Sequence, residues 1–158
     1  MRDISTADDI IDSRDVIKRI DELRDELAQW QDAIETATEA LESAPDNSGE
    51  ADQEGVENAL DHAQCALREW EEAEGAELKA LETLQEAAEG YTPDWRHGVT
   101  LIRDSYFEHY ARDLADDIGE IDRNAGWPYT CIDWKQAAEE LQMDYTSVDF
   151  DGITYWVR

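Results

Sequence analysis

Two runs of apolar residues, set in an acidic stretch from Asp15 to Glu89, constrain this chain more than any other feature. In the first, Val16, Ile20, Leu23, Leu27, Trp30, Ile34, Ala37 and Leu41 follow one another at alternating steps of four and three. That is an a/d seam, the pattern of a helix that buries one stripe against another helix. In the second, Val56, Leu60, Ala63, Leu67, Trp70, Ala73, Leu78, Leu81 and Leu84 fall mainly on one face, with an irregular step between Ala73 and Leu78.

The runs match each other. In an antiparallel helix pair, facing residues have position numbers that add to a nearly constant sum. Leu41 with Leu60, Ala37 with Ala63, Ile34 with Leu67 and Trp30 with Trp70 sum to 100 or 101. The same sums join Leu27 to Ala73, Leu23 to Leu78, Ile20 to Leu81 and Val16 to Leu84. The pattern predicts an acidic antiparallel coiled-coil helical hairpin over 15–90, turning near Gly49 in Pro45-Asp46-Asn47-Ser48-Gly49. A parallel dimer of each run would leave the matching unexplained. Trp30 and Trp70 are expected in its core.

Charge narrows the partners. The 158 residues hold 13 Lys and Arg against 41 Asp and Glu, a net charge of −28. Such a chain repels nucleic acid and anionic membrane as direct partners. Six Trp, six Tyr and a regular seam set it apart from a disordered acidic tail. No apolar run is long enough to span a bilayer, and no leader-type segment opens the sequence. Cys65 and Cys131 show no framework spacing, so reduced, buried thiols and a cytoplasmic setting are expected. Residues 15–89 alone carry 23 acids and 5 bases. On two helices each roughly 45 Å long, at ~1.5 Å per residue, that is one carboxylate per ~2 Å of axis. Duplex DNA carries one charge per ~1.7 Å.

Residues 1–14 read as a polar N-terminal arm, frayed or with an early helical turn, in which Ser5-Thr6-Ala7-Asp8 and Ser13 are alternative candidate helix caps. Asp46, Glu50, Asp52 and Glu54 crowd the loop after the first helix, but EF-hand spacing is absent, so no metal or other cofactor is expected. Residues 91–158 read as a small α+β module. Val99 through Ile118 is expected to be helical, Asn124 to Pro128 a break, and Ile132 to Leu141 a short helix capped by Asp133. Asp151-Gly152 signals a type I′ turn in a closing two-stranded antiparallel β-hairpin. That turn pairs Phe150 with Ile153, Val148 with Tyr155 and Thr146 with Val157. Trp156 falls on its polar face, where it is a candidate contact for another chain. The fold class expected is mainly α, with this α+β module at the end.

Two segments carry a family resemblance. Tyr106-Phe107-Glu108-His109-Tyr110-Ala111-Arg112-Asp113-Leu114-Ala115-Asp116-Asp117 is one. Cys131-Ile132-Asp133-Trp134-Lys135-Gln136-Ala137-Ala138-Glu139-Glu140-Leu141, followed by Asp144-Tyr145 and the closing turn, is the other. Together they resemble the terminal acidic module of ArdA-type antirestriction proteins, over about residues 104–158. The resemblance implies a DNA mimic from a phage or mobile element, acting in the host cytoplasm, usually as a dimer. It implies that the target is a type I restriction–modification enzyme. Family members are elongated arrays of small modules, whereas residues 1–90 here read as a helical hairpin. Only part of the charged surface therefore carries over, onto Asp113, Asp116, Asp117, Glu120, Asp133, Glu139, Glu140, Asp144, Asp149 and Asp151.

Nothing in the sequence points to catalysis. His62, His97 and His109 lack metal spacing with one another, and there is no phosphate loop, Cys-x-x-Cys or Ser-centred elbow. The expected function is therefore inhibition of a basic DNA-binding defence complex, a restriction–modification enzyme or, second, a CRISPR effector. The acidic surface expected to carry it comprises Asp21, Asp25, Asp32, Glu35, Glu39, Glu57, Asp61, Glu71 and Glu72 in the hairpin. In the terminal module it comprises Asp113, Asp116, Asp117, Glu120, Asp133, Glu139, Glu140 and Asp149. The alternative is a coiled-coil adaptor or assembly protein whose acids confer only solubility.

Overall fold

A computed structural model of the protein describes residues 4–43, 50–119, 124 and 126–158, with the side chains of residues 50–53 left out. The turn expected at Pro45–Gly49, Asp46 and the site candidate Glu120 lie outside the described residues. The chain is mainly helical, with a small antiparallel sheet. In order it forms β1 (Ile10–Asp12), α1 (Ser13–Glu42), α2 (Glu50–Ala73), α3 (Gly75–Glu89), α4 (Trp95–Gly98) and β2 (Thr100–Arg103). Then come α5 (Phe107–Asp117), α6 (Trp134–Gln142), β3 (Thr146–Phe150) and β4 (Ile153–Val157). No helix among the described residues is long and apolar enough to cross a membrane. The chain divides into two compact units, one of residues 1–19 with 80–158 and the other of residues 20–79.

The first unit is built on the sheet. At the Asp151-Gly152 turn, β3 and β4 pair with Phe150 opposite Ile153, Val148 opposite Tyr155 and Thr146 opposite Val157. Asp151 and Gly152 both have positive φ, at 49° and 80°, as a type I′ turn requires. The sheet is wider than the two strands expected. β2 pairs with β4, β1 pairs with β2, and the four strands run antiparallel in the order β1-β2-β4-β3.

Two expectations give way here. Residues 99–118 do not form one helix: Thr100–Arg103 is strand β2, a 3-10 turn spans Asp104–Tyr106, and α5 begins at Phe107. Leu101 and Ile102 point to opposite faces of an inner strand and are both buried, so the run is apolar without alternation. Periodicity alone cannot separate such a strand from a buried helix. The N-terminal segment, read as a polar arm, supplies the edge strand β1 through Ile10–Asp12.

Ile102 and Trp156 face each other across β2 and β4, and with Phe107, Ala111 and Ala138 they form a cluster under α5 and α6. Trp156 is thereby engaged within its own chain. Its ring lies 6.0 Å from that of Phe107 and its indole N–H donates to Asp104 Oδ1 at 2.8 Å. The alternate sheet face buries Ile11, Leu101, Val148, Tyr155 and Val157. The Tyr155 hydroxyl donates to the Asp8 carbonyl at 2.7 Å, fastening the residues before β1 to the last strand.

Ser13, expected as a cap, is fully buried and serves another purpose. Its hydroxyl donates to the Trp95 carbonyl at 2.6 Å and accepts from the Val99 amide at 2.7 Å, while its own amide donates to the Val99 carbonyl. The start of α1 is thus tied to the α4–β2 junction. Asp133 does cap α6, accepting from the Gln136 amide at 3.1 Å.

The second unit contains α1 from Ile20, all of α2, and α3 as far as Lys79. The irregular step in the second run is a break at Glu74 between α2 and α3, bridged by backbone bonds from Glu74 to Trp70 and from Leu78 to Glu74. Ile20, Leu23, Ala37, Ala63 and Leu78 are buried. The two tryptophans are not core residues. Trp30 is 37 % exposed, and Trp70 is half-buried with its indole N–H donating to Glu26 Oε2 at 2.9 Å. An amphipathic indole held at the rim keeps its N–H satisfied, which a closed apolar seam would not allow. Glu50, Asp52 and Glu54 belong to the opening turns of α2 rather than to a loop.

A candidate acidic interface

On α1 the acids Asp21, Asp25, Asp32, Glu35 and Glu39 recur at steps of four, seven, three and four. At about 100° per residue they fall in a stripe about 80° wide, on the side away from Leu23, Leu27 and Ile34. All five are exposed. On α2, Glu57, Asp61, Glu71 and Glu72 are also exposed and occupy a stripe about 100° wide by the same geometry. Among the described residues, none of these nine carboxylates takes part in an ion pair or hydrogen bond. From Asp25 to Leu67 the sequence contains 12 acids and not one Lys or Arg. An ordinary surface helix would interleave cations at i,i+4 and gain a few tenths of a kcal/mol per pair, about 0.2–0.5.

The candidates in the first unit differ in kind. Asp133 is spent on capping α6, and Asp149 accepts from the Gly152 amide at 3.0 Å, holding the β3–β4 turn. Glu140 accepts from Gln136 at 3.0 Å, Glu139 lies 4.0 Å from Lys135, and Asp113 lies 3.4 Å from His109. Asp116 is half-buried, while Asp117, Asp144 and Asp151 are exposed. The acids of this unit therefore do local structural work as well as carrying charge. The nine carboxylates on α1 and α2 do not, although Glu26 of the same unit holds the Trp70 indole.

Two features of the surface were not read from the sequence. In the second unit, α1 and α2 together line an open cavity of about 700 Å³ to which alanine contributes six of thirteen lining residues. Its sequence signal is the recurrence of Ala33, Ala40, Ala59 and Ala66 beside the seam residues Ala37 and Ala63, which a hydrophobic-seam reading passes over because the residues are small. In the first unit, Tyr110 and Tyr145 meet hydroxyl to hydroxyl at 3.0 Å, with the Arg158 guanidinium 6.0 Å from the Tyr145 ring. Burial, reinforced by that hydrogen bond, pushes the Tyr110 phenol up to about 12. No group of three or more metal-binding side chains occurs among the described residues, and the two free thiols are not buried as expected: Cys65 is half-buried and Cys131 exposed.

Comparison of the chain with protein-family models, with curated proteins and with solved structures gives no match.

Proposed function

We propose that the protein is a DNA-mimic inhibitor of a basic, DNA-binding defence complex, with a type I restriction–modification enzyme as first target and a CRISPR effector as second. The observation that carries this reading is the acid-only segment from Asp25 to Leu67, which presents unpaired carboxylates from two helices and no compensating cation. A channel that holds a nucleic acid is lined with Lys and Arg. A surface that withholds every cation suits such a channel and gains nothing from ordinary helix pairing.

The same reading takes α1 and α2 as an antiparallel coiled-coil hairpin, supported by the constant position sums, by the Trp70–Glu26 bond and by the cavity both helices line. The ArdA-like segments in α5 and α6 support an antirestriction role for the whole, and a homodimer would follow from that likeness. An adaptor role is the second reading, favoured by the exposure of Trp127 at 83 % and Tyr129 at 45 %, which a partner could cover. A pull-down from host lysate at two salt concentrations separates the two. Mimicry predicts recovery of nucleic-acid-binding proteins at low salt and their loss at high salt. Recovery of a partner insensitive to salt supports the adaptor.

A further inference from the structure

The alanine-rich cavity between α1 and α2 has a shape that charge mimicry does not require. Its lining joins the buried Ala37 and Ala63 to the half-buried Val56 and the exposed Trp30, Ala33 and Ala59. Along α1 the lining runs from Gln29 to Ala40, about 16 Å of helix at ~1.5 Å per residue. Small residues on both walls let a third backbone come close, and three helical turns give the length that a docked amphipathic helix reads. Asp32 is itself part of the lining, and every charged side chain from Asp25 to Leu67 is a carboxylate. An occupant must therefore bring an apolar face for the alanines and cations for the rim.

We infer that this groove binds a cationic amphipathic helix presented by the target protein. A second copy of this chain is a poor occupant, because it would bring its own Asp32, from a stretch with no Lys or Arg, against Asp32 of the first. The inference rests on the proposed function in taking the target to be cationic. It adds a shape-specific contact to a surface that otherwise works by summed charge.

The probe is a peptide of about 18 residues, long enough to hold a helix, with Leu at i, i+3, i+4 and i+7 and Lys elsewhere. Its control is a scrambled peptide of identical composition. The full chain is expected to bind the helical peptide at least tenfold more tightly than the scramble (about 1.4 kcal/mol). Ala33→Phe and Ala59→Phe sit on exposed helix positions and fill the groove without altering charge. Each should remove that preference while leaving the weak binding of the scramble in place. Hydrogen exchange on the unaltered chain gives a reading free of any folding effect: the helical peptide should protect residues 29–40 and 55–66. Equal affinity for the two peptides, unchanged preference in both Phe variants, or protection elsewhere would overturn the inference. None of those results touches the mimic reading, whose failure shows separately as an inability of the same protein to displace DNA from its target.

Discussion

Ser13 carries more of the fold than its residue type suggests. Its hydroxyl is the partner of two backbone groups in the α4–β2 junction, and Ser13→Ala would leave the Val99 amide and Trp95 carbonyl buried and unpaired. An orphaned buried polar group costs about 1–3 kcal/mol, so urea unfolding of that variant should show a loss of about 2 kcal/mol or more. A surface-cap role would cost about 1 kcal/mol and leave the sheet edge unaffected. The sequence marks Ser13 as a helix-start residue, but a tether to residues 82 and 86 positions away has no local signature. Tyr110 permits a pH test. Its folded phenol ionises only at about 12 against 10.0 for a free one. The stabilisation is fully present below pH 10 and is lost as pH rises toward 12, because only the unfolded chain releases its proton in that window. Tyr110→Phe should flatten this alkaline decline in stability, measured by thermal unfolding across the same range.

Among the elements, those with a strong local device were legible and those set by tertiary contact were not. Asp151-Gly152 fixes both turn and register for β3 and β4, since a one-residue slip would send Val148 and Tyr155 to the other face. The Asp133 cap marks the start of α6 in the same way. β2 escaped because Thr100, Leu101 and Ile102, apolar or β-branched and followed by a helix, look like a longer helix until β1 and β4 flank them. The edge strand β1 escaped because three residues carry too little pattern. Trp30 lies on the apolar seam by spacing yet stands exposed, since the neighbouring alanines are too small to close over an indole. The proposed pairing of α1 with α2 has a direct test: cysteines placed at Ala37 and Ala63 should crosslink within one chain under mild oxidation. Crosslinks formed only between chains would replace the hairpin with a dimeric coil.

For the whole molecule, charge is the feature most openly written in the sequence and least visible in the fold. A net charge of −28 opposes compaction, so added salt should raise the melting temperature as screening shortens to ~3 Å at 1 M. The same screening should weaken partner binding. Exposed pairs are each worth only about 0–1 kcal/mol, so a charge mimic must sum many of them. Neutralising Asp21, Asp25, Asp32 and Glu35 together should weaken target binding at least tenfold (about 1.4 kcal/mol), while each single change stays close to the parent. The quadruple variant should also melt slightly higher, because it repels itself less. The structural division of labour among the acids could be read beforehand only at the Asp133 cap, since nothing in the residue type separates Asp149, which holds a turn, from Asp21 and Asp25, which hold nothing. The central claim is that the carboxylates occupy a site built for phosphates, and competition measures this most directly. A purified type I restriction enzyme or CRISPR effector is loaded with labelled duplex DNA, and the protein is titrated in at low and at physiological salt. The account predicts that the protein displaces the DNA in full from one of these complexes, more weakly as salt rises, and that the quadruple variant fails to do so. Binding to each complex with DNA still in place, or displacement by the quadruple variant equal to that by the parent, would contradict it.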